Sequence, residues 1–156
     1  MKFSTRGHYG LRAMVALAQA YGQRSVALAE IARSEGLSLG YLEQLMATLR
    51  RAGLVEATRG THGGYRLAFK PARMTVGDVL RALEGPVAPA ECASEVLGPA
   101  VCEREGACPT RRLWERMRDS IVQVLDSTTL ADLCREGQPF GEKGQPELQG
   151  SGRRSS

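Results

Sequence analysis

The feature of the sequence that most constrains the fold is an apolar pattern of helical period that is interrupted by glycines. From about residue 5 to residue 20, apolar side chains recur at positions i, i+3, i+4 and i+7, namely Leu11, Met14, Val15 and Ala18. This spacing places one apolar stripe along a helix, which ends before Gly22. Because the stripe must be covered, the helix has to pack against other elements of a compact domain.

Two further helices are predicted in close succession. The second begins at Leu28 and stops before Gly36. The third follows Ser38, whose hydroxyl can cap it, and continues with apolar residues at helical spacing until Gly53. Two helices joined by such a short glycine-containing turn form a helix-turn-helix.

Two short segments of alternating character follow the third helix. They span residues 54–58 and 65–69, and the residues that connect them include Gly60, Gly63 and Gly64. These segments predict an antiparallel hairpin, and the glycines allow its tip to turn sharply. A hairpin directly after a helix-turn-helix is the wing of a winged helix, although the segments alone also fit a hairpin without that role.

A second helical region is predicted further along the chain. Thr75 and Asp78 have capping-box spacing for a short helix that ends at residues 84–86. A long amphipathic helix follows from about residue 110, with the apolar residues Leu113, Trp114, Met117, Ile121, Val124 and Leu125. A winged helix of this size offers little apolar surface, so we expect the long helix to pair with a second copy of the chain. The alternative is that it folds back on its own domain.

The predicted fold is therefore mainly α-helical with a small β-hairpin wing, a winged helix-turn-helix plus a long dimerisation helix. We expect a DNA-binding domain over residues 1–85 and a cysteine-bearing loop over 86–109. The dimerisation helix and a short C-terminal helix would span 110–134, and a disordered tail of Gly, Gln, Pro, Ser and charged residues would span 135–156.

The charge is distributed unevenly between the two halves of the chain. Residues 1–75 hold 11 Lys and Arg against 4 Asp and Glu, a net of +7, whereas residues 76–156 hold 10 against 13, a net of −3. The first half is suited to a polyanionic partner. No run reaches the roughly 18 apolar residues of a membrane-spanning helix, and the apolar run at 13–18 is too short for a secretory signal. We therefore expect a cytoplasmic protein without membrane contact.

The start of the third helix carries the candidate base-contacting residues. In a helix-turn-helix, the N-terminal residues of the second helix face base edges in the major groove. Here these residues are Ser38, Gly40, Tyr41, Glu43 and Gln44. A glutamate can accept a hydrogen bond from the amino group of cytosine, a glutamine can pair with adenine, and Ser or Tyr can reach phosphates or bases.

Basic residues at two further positions complete the predicted interface. Arg50 lies beside Arg51 at the end of the third helix, and Arg59, Gly60 and His62 lie in the wing. These residues are suited to phosphate or minor-groove contact. His62 is equally well explained as a solvated residue without such a contact.

Three cysteines lie in the one region without a clear period, as C-x9-C-x5-C at Cys92, Cys102 and Cys108. In an intracellular protein such a group indicates metal or redox chemistry rather than disulfides. Thiolates are the usual ligands of iron–sulfur clusters, yet the spacing alone also fits zinc or a thiol switch. Cys134, near the end of the last helix, is expected to be a thiol outside this group.

Five stretches together resemble the bacterial winged-helix regulators that include IscR, NsrR and CymR. They are STRGHYGL at 4–11, LSLGYLEQL at 37–45, LRRAGLV at 49–55, RGTHGGY at 59–65 and LDSTTL at 125–130. The resemblance covers about residues 1–134. It implies a homodimer that binds a partly palindromic DNA operator, with Glu43 and Gln44 at the positions that confer base choice and Arg59 and Gly60 at the matching positions of the wing.

The three cysteines resemble the cluster-binding branch of that family and most of all its IscR type. This implies a 2Fe-2S or 4Fe-4S cluster on Cys92, Cys102 and Cys108, with one ligand position left open. In the IscR branch a histidine follows the third cysteine by three residues, but Arg111 stands there in this chain. His8 occupies the place of a carboxylate ligand that the NsrR branch takes from the partner chain. His8 is the candidate fourth ligand, Glu103 and Glu105 are alternatives, and a plain helix-surface role also fits His8.

The function that the resemblance implies is transcriptional regulation, mainly repression, with operator affinity controlled by the cluster in response to iron–sulfur status or oxidative stress. The alternatives are a nitric oxide sensor, or a regulator of cysteine metabolism that acts through a thiol or a protein partner. An enzyme is not expected, because the chain contains no Ser/His/Asp constellation, phosphate-binding loop or paired carboxylates.

Overall fold

The computed structural model describes residues 2–97 and 107–137. Within these ranges the chain forms six α-helices, one two-stranded hairpin and two short 3-10 turns, at Pro71–Arg73 and Glu91–Ala93. The elements are α1 (Thr5–Gln19), α2 (Leu28–Glu35), α3 (Leu39–Arg51), β1 (Val55–Thr58), β2 (Gly64–Leu67), α4 (Val76–Glu84), α5 (Arg111–Ser127) and α6 (Leu130–Glu136). The predicted helices are all present, and the second strand begins and ends earlier than predicted. The predicted tail begins later than expected, because Arg135 and Glu136 belong to α6. Cys102, Glu103, Glu105 and the tail beyond residue 137 lie outside the described residues.

Local capping groups explain where the helices begin and end. The Ser38 hydroxyl accepts a hydrogen bond from the Tyr41 backbone N–H at 3.2 Å, as predicted. α2 ends at Gly36, which has a φ of 67° in the left-handed region that glycine adopts without strain. Thr75 and Asp78 form the predicted capping box at the start of α4. The turn between α2 and α3 is therefore set by short-range interactions.

The hairpin is anchored to the helices at its base. β1 and β2 are antiparallel, with Val55 opposite Leu67 and Thr58 opposite Gly64. Val26, in the link between α1 and α2, forms an isolated bridge with Tyr65, with N–H···O distances of 2.9 Å in both directions. This close approach requires a glycine at position 64, because a Cβ there would lie 2.3 Å from the Val26 carbonyl oxygen.

The main core surrounds α1, which contacts α2, α3, β2, α4 and α6. Its largest fully buried side chains come from the three N-terminal helices and from later elements: Met14, Leu17, Ile31, Leu42, Leu45, Met46, Leu49, Met74 and Leu130. Burial of each such side chain stabilises the fold by roughly 1.5–3 kcal/mol. The exposed polar side of α3 is thus fixed by the apolar side that packs into this core.

The last helix returns to the N-terminal helices. Leu130 of α6 is fully buried in the main core, and its backbone N–H donates to the Met74 carbonyl at 2.9 Å. The Val76 N–H donates to the Thr128 carbonyl at 2.8 Å, which joins the start of α4 to the end of α5. The predicted C-terminal helix therefore packs on α1, an arrangement that local periodicity did not predict.

α5 is only partly covered by its own chain. Near its end, Leu125 packs with Val76, Leu80 and Val87 in a second, smaller apolar cluster. Elsewhere on the helix, Leu113, Met117 and Val124 are 48%, 37% and 63% exposed. α5 thus packs on α4 at one end and presents apolar side chains along the rest of its length. No helix in the described ranges has the length and apolar character needed to cross a membrane.

Candidate nucleic-acid interface

The N-terminal half of α3 presents a polar surface. Ser38, Gly40, Glu43 and Gln44 are exposed, whereas three residues on the opposite side of the helix are buried: Leu42, Leu45 and Met46. The buried side fixes the rotation of the helix about its axis. Four of the five predicted base-contacting residues therefore lie together on the open side of α3.

Tyr41, the fifth of these residues, is half-buried. Its ring packs edge-on against Tyr9 of α1, with ring centroids 6.4 Å apart and an interplanar angle of 89°. This contact was not predicted from the sequence. It places one side of Tyr41 against α1 and connects the first helix to the start of α3.

The predicted phosphate-contacting residues are exposed in two places. Arg50 lies at the end of α3, and Arg59, Gly60 and His62 lie in the turn of the hairpin. Gly60 has a φ of 106°, a conformation that other residues rarely adopt. In the described ranges, no carboxylate pairs with Arg50 or Arg59, whereas Arg66 lower on the hairpin is 2.9 Å from Glu56. Within the described hairpin, the arginine without a carboxylate partner is therefore Arg59, in the turn.

The predicted metal ligands are only partly covered by the described residues. Cys92 lies in the 3-10 turn Glu91–Ala93, and Cys108, just before α5, has its Sγ 3.2 Å from the Thr110 hydroxyl. Both cysteines are half-buried, and His8 is exposed on α1. Across residues 2–97 and 107–137, no three His, Cys, Asp or Glu side chains are grouped so as to hold a metal ion. The structure does not bring His8, Cys92 and Cys108 together within the described chain.

The donor chemistry of the three cysteines at positions 92, 102 and 108 fits an iron–sulfur cluster better than a hard cation. Thiolates are soft ligands of the kind that iron–sulfur clusters take, and Cys92 and Cys108 flank the stretch that contains Cys102.

Cys134 differs, because it packs beside the main core with its Sγ 4.0 Å from the Val15 carbonyl oxygen. Burial raises the pKa of the Cys134 thiol, which favours an unreactive, protonated form.

One ion-pair cluster connects residues 87–95, here called the cysteine segment because they include Cys92, to two helices. Sequence analysis did not find this cluster. Arg81 of α4 donates to both oxygens of Glu95, with a shortest distance of 2.7 Å, and to both oxygens of Asp126 at 2.6 and 3.0 Å. The Val87 N–H donates to Glu95 at 2.7 Å. Asp126 lies near the end of α5, so the cluster joins α4, α5 and residues 87–95.

The electrostatics of this cluster favour its charged form. Hydrogen bonding to Arg81 is the main cause that lowers the pKa of Glu95 and of Asp126. The same bonds raise the pKa of Arg81. The acidic partners lie 14 and 45 positions from Arg81 in sequence, which no local pattern could indicate. Gly77 leaves room for the cluster, since a Cβ there would lie 2.1 Å from Asp126 Oδ1.

The start of α1 is also held by a carboxylate from α4. Glu84 Oε1 accepts hydrogen bonds from the Ser4 N–H at 2.6 Å, from the Ser4 hydroxyl, and from the Gly7 N–H at 3.2 Å. These bonds satisfy N–H groups that have no partner inside the helix. A Cβ at position 7 would lie 2.6 Å from Glu84 Oε1, so Gly7 permits the contact. The helix that carries His8 is thereby fixed to α4.

Comparison with known proteins identifies the family. The family model for Rrf2, described as an iron-dependent transcriptional regulator, matches residues 3–136. The HTH-type transcriptional regulator CymR of Bacillus subtilis is 47% identical over 134 residues, which span 86% of this chain and 90% of CymR.

Two solved structures extend the similarity to the fold. The structure of B. subtilis CymR, described as the global cysteine regulator of that organism, has a TM-score of 0.76 at 45% identity and covers 88% of this chain and 99% of its own. T. potens IscR has a TM-score of 0.72 at 41% identity, covering 93% and 94%. These matches confirm the predicted winged-helix fold, and the relatives are regulators rather than enzymes. The chain belongs to the Rrf2 family of DNA-binding transcriptional regulators.

Proposed function

We propose that this regulator acts mainly as a repressor and that an iron–sulfur cluster on Cys92, Cys102 and Cys108 controls its affinity for DNA. The observation that carries the proposal is the position of the cysteines, which lie in the connection between α4 and α5. α4 belongs to the helices that support α3, and α5 carries the exposed apolar face. A change in the connection between α4 and α5 can therefore alter the position of α5 relative to α3 and the helices that support it.

The regulator binds DNA as a homodimer in this proposal. The exposed apolar residues of α5, Leu113, Met117 and Val124, require a cover that the described part of the protomer does not supply. The α5 of a second copy presents the same apolar face, and two such faces can cover each other across a two-fold axis. Two copies of α3 would then enter successive major grooves of a partly palindromic operator.

The residues of the proposed interface fall into groups with different roles. Glu43 and Gln44 make hydrogen bonds to base edges, and Ser38, Gly40 and Tyr41 approach the sugar–phosphate backbone beside them. Arg50 contacts phosphate at the end of α3. Arg59, Gly60 and His62 enter or flank the adjacent minor groove, where the negative potential attracts arginine. The exposure of Glu43, Gln44 and Arg59 supports these assignments.

The Arg81 cluster explains how the cysteine segment communicates with DNA. Glu95 lies three residues after Cys92 and is bonded to Arg81 of α4, which also holds Asp126 of α5. A displacement of the segment therefore acts on the junction of both helices. A coupling of about 1–3 kcal/mol would change DNA affinity roughly 5- to 150-fold. An iron–sulfur cluster bound by the three cysteines would supply a group that oxidants or iron shortage can destroy.

His8 is the proposed fourth ligand, donated by a second protomer. Its imidazole is exposed on α1, so it is available to another chain. Histidine ligates one iron of Rieske-type clusters, which shows that imidazole suits such a site. His8→Ala should leave the three thiolates in place and make the cluster less stable to oxygen, followed as loss of visible absorbance with time.

The proposal is tested by an absorption spectrum with iron and sulfide assays on anaerobically purified protein. The wild type should show a visible band with stoichiometric iron and sulfide, and Cys102→Ala should lose both. Cys134→Ala is the matched control, because it removes a thiol that lies outside the segment and should retain the cluster. If Cys102→Ala keeps the iron content of the wild type, the ligand assignment is wrong.

A second candidate function is regulation of cysteine metabolism through a thiol or a protein partner. The 47% identity to CymR favours it. A colourless, iron-free dimer that cannot be reconstituted would support this alternative. A nitric oxide response is a variant of the first proposal, and loss of the visible band on addition of a nitric oxide donor would support it.

A further inference from the structure

We infer that Arg6 and Arg51 form a site for one phosphate of the DNA backbone on the flank of α3. Arg6 lies in the first turn of α1, and Arg51 is the last residue of α3. Their guanidinium groups both donate to the hydroxyl of Thr48, at 3.4 and 3.3 Å. The inference depends on the DNA-binding role that family membership establishes and not on the proposed cluster.

The hydroxyl of Thr48 is oriented to receive both arginines. It donates its single proton to the Gln44 carbonyl oxygen at 3.2 Å, so its lone pairs remain for the two guanidinium groups. Two cations thereby converge on one neutral acceptor. Convergence of like charges is unfavourable unless an anion compensates them.

The described part of the chain supplies no such anion. No carboxylate within residues 2–97 or 107–137 pairs with Arg6 or Arg51, and both side chains are exposed. Two other arginines of the same domain are instead paired with carboxylates: Arg24 is 2.7 Å from Glu30, and Arg66 is 2.9 Å from Glu56. The contrast indicates that the charge of Arg6 and Arg51 is kept for an external ligand. Guanidinium groups suit a phosphate group, because they can donate two parallel hydrogen bonds to two of its oxygens.

The cleft between these side chains adjoins the proposed base-contacting surface. It has a volume of about 350 Å³ and is lined by Arg6, Tyr41, Gln44, Leu45, Ala47, Thr48 and Arg51. Because Gln44 lines the cleft, an anion bound there would lie beside the edge of α3 that enters the major groove. A phosphate of the groove wall meets this requirement.

The experiment measures how binding of the full-length protein to a random-sequence duplex of about 30 base pairs depends on salt, by fluorescence anisotropy between about 50 and 200 mM KCl. Each phosphate contact contributes about 0.9 to the slope of log K against log salt. Arg6→Gln and Arg51→Gln should each lower the slope by up to about 1 per bound protomer and weaken binding to all sequences alike. Because they share one phosphate, the double variant should also lose about 1 and not about 2.

Arg24→Gln is the matched control, since it removes the same charge from a guanidinium that already has a carboxylate partner. Its slope should stay close to that of the wild type. Thr48→Val should weaken DNA binding, because the two arginines lose their common acceptor. Thr48→Ser keeps the hydroxyl and should bind DNA as the wild type does. A slope of the double variant equal to that of Arg24→Gln would overturn the inference. A loss of about 2 in the double variant would contradict a single shared phosphate. Absence of salt-dependent binding in the wild type would instead contradict DNA binding itself.

Discussion

Replacement of Arg81 by glutamine provides the sharpest test of how the cysteine segment is held to the helices. The substitution removes the guanidinium that bonds Glu95 and Asp126 and leaves the two carboxylates near each other. We expect the fold to persist, because Arg81 lies outside the main apolar core. The junction between α4, α5 and residues 87–95 should lose stability.

The size of the effect follows from burial. The side chains of Arg81, Glu95 and Asp126 are 30%, 19% and 43% exposed, so solvent screens the pairs in part. Fully exposed ion pairs contribute about 0.2–1 kcal/mol, and hydrogen bonds to charged groups about 1.5–3 kcal/mol. We expect Arg81→Gln to lower the free energy of unfolding by about 1–3 kcal/mol at neutral pH. Arg66→Gln, which breaks the more exposed pair with Glu56, is the control and should cost less than about 1 kcal/mol.

The pH dependence separates electrostatic from packing effects. The pKa values of Glu95 and Asp126 are lowered in the folded protein, so their stabilisation is complete above the ordinary carboxyl range. It is lost as pH falls through their lowered pKa values. The stability difference between wild type and Arg81→Gln should therefore be constant near neutrality and shrink below about pH 4.

Urea unfolding followed by circular dichroism at several pH values measures this difference, and hydrogen exchange of the Val87 amide reports the local effect. Val87 donates to Glu95 in the wild type, so its exchange should accelerate in Arg81→Gln. A stability difference that is the same at about pH 3 and pH 7 would refute the electrostatic explanation. Unchanged exchange at Val87 would show that Arg81 does not hold the segment.

Four further results are expected. Gly64→Ala should lower the free energy of unfolding by about 1–3 kcal/mol in urea unfolding, because its Cβ would meet the Val26 backbone oxygen at 2.3 Å; full stability would refute this. Thr75→Ala should cost about 1 kcal/mol in the same assay through loss of the α4 capping box, and no change would exclude that contribution. Val124→Glu should convert the proposed dimer to monomers in light scattering, and an intact dimer would contradict the assigned α5 interface. Glu43→Ala should reduce discrimination between operator variants by about 1–3 kcal/mol in competition binding without lowering the salt slope; a lowered slope would indicate a phosphate role.

Local sequence patterns determined most of the secondary structure of this protein. The periodicity around Met14, the cap at Ser38 and the capping box at Thr75 act within a few residues, so they can be recognised without knowledge of the fold. The exposed side of α3 followed from the same pattern, since the apolar positions define the buried side. The family resemblance rested on these same stretches, and the comparisons confirmed it.

Tertiary structure alone decided which distant residues meet. The local pattern at residues 128–133 predicted a short helix but not that Leu130 enters the core beside α1. Arg81 and its acidic partners, and Arg6 with Arg51, lie too far apart in sequence for any local signal to pair them. Periodicity specifies which side of a helix is apolar but not which element covers that side. The packing of several helices around α1 determines that choice, because only the assembled core fixes their relative positions.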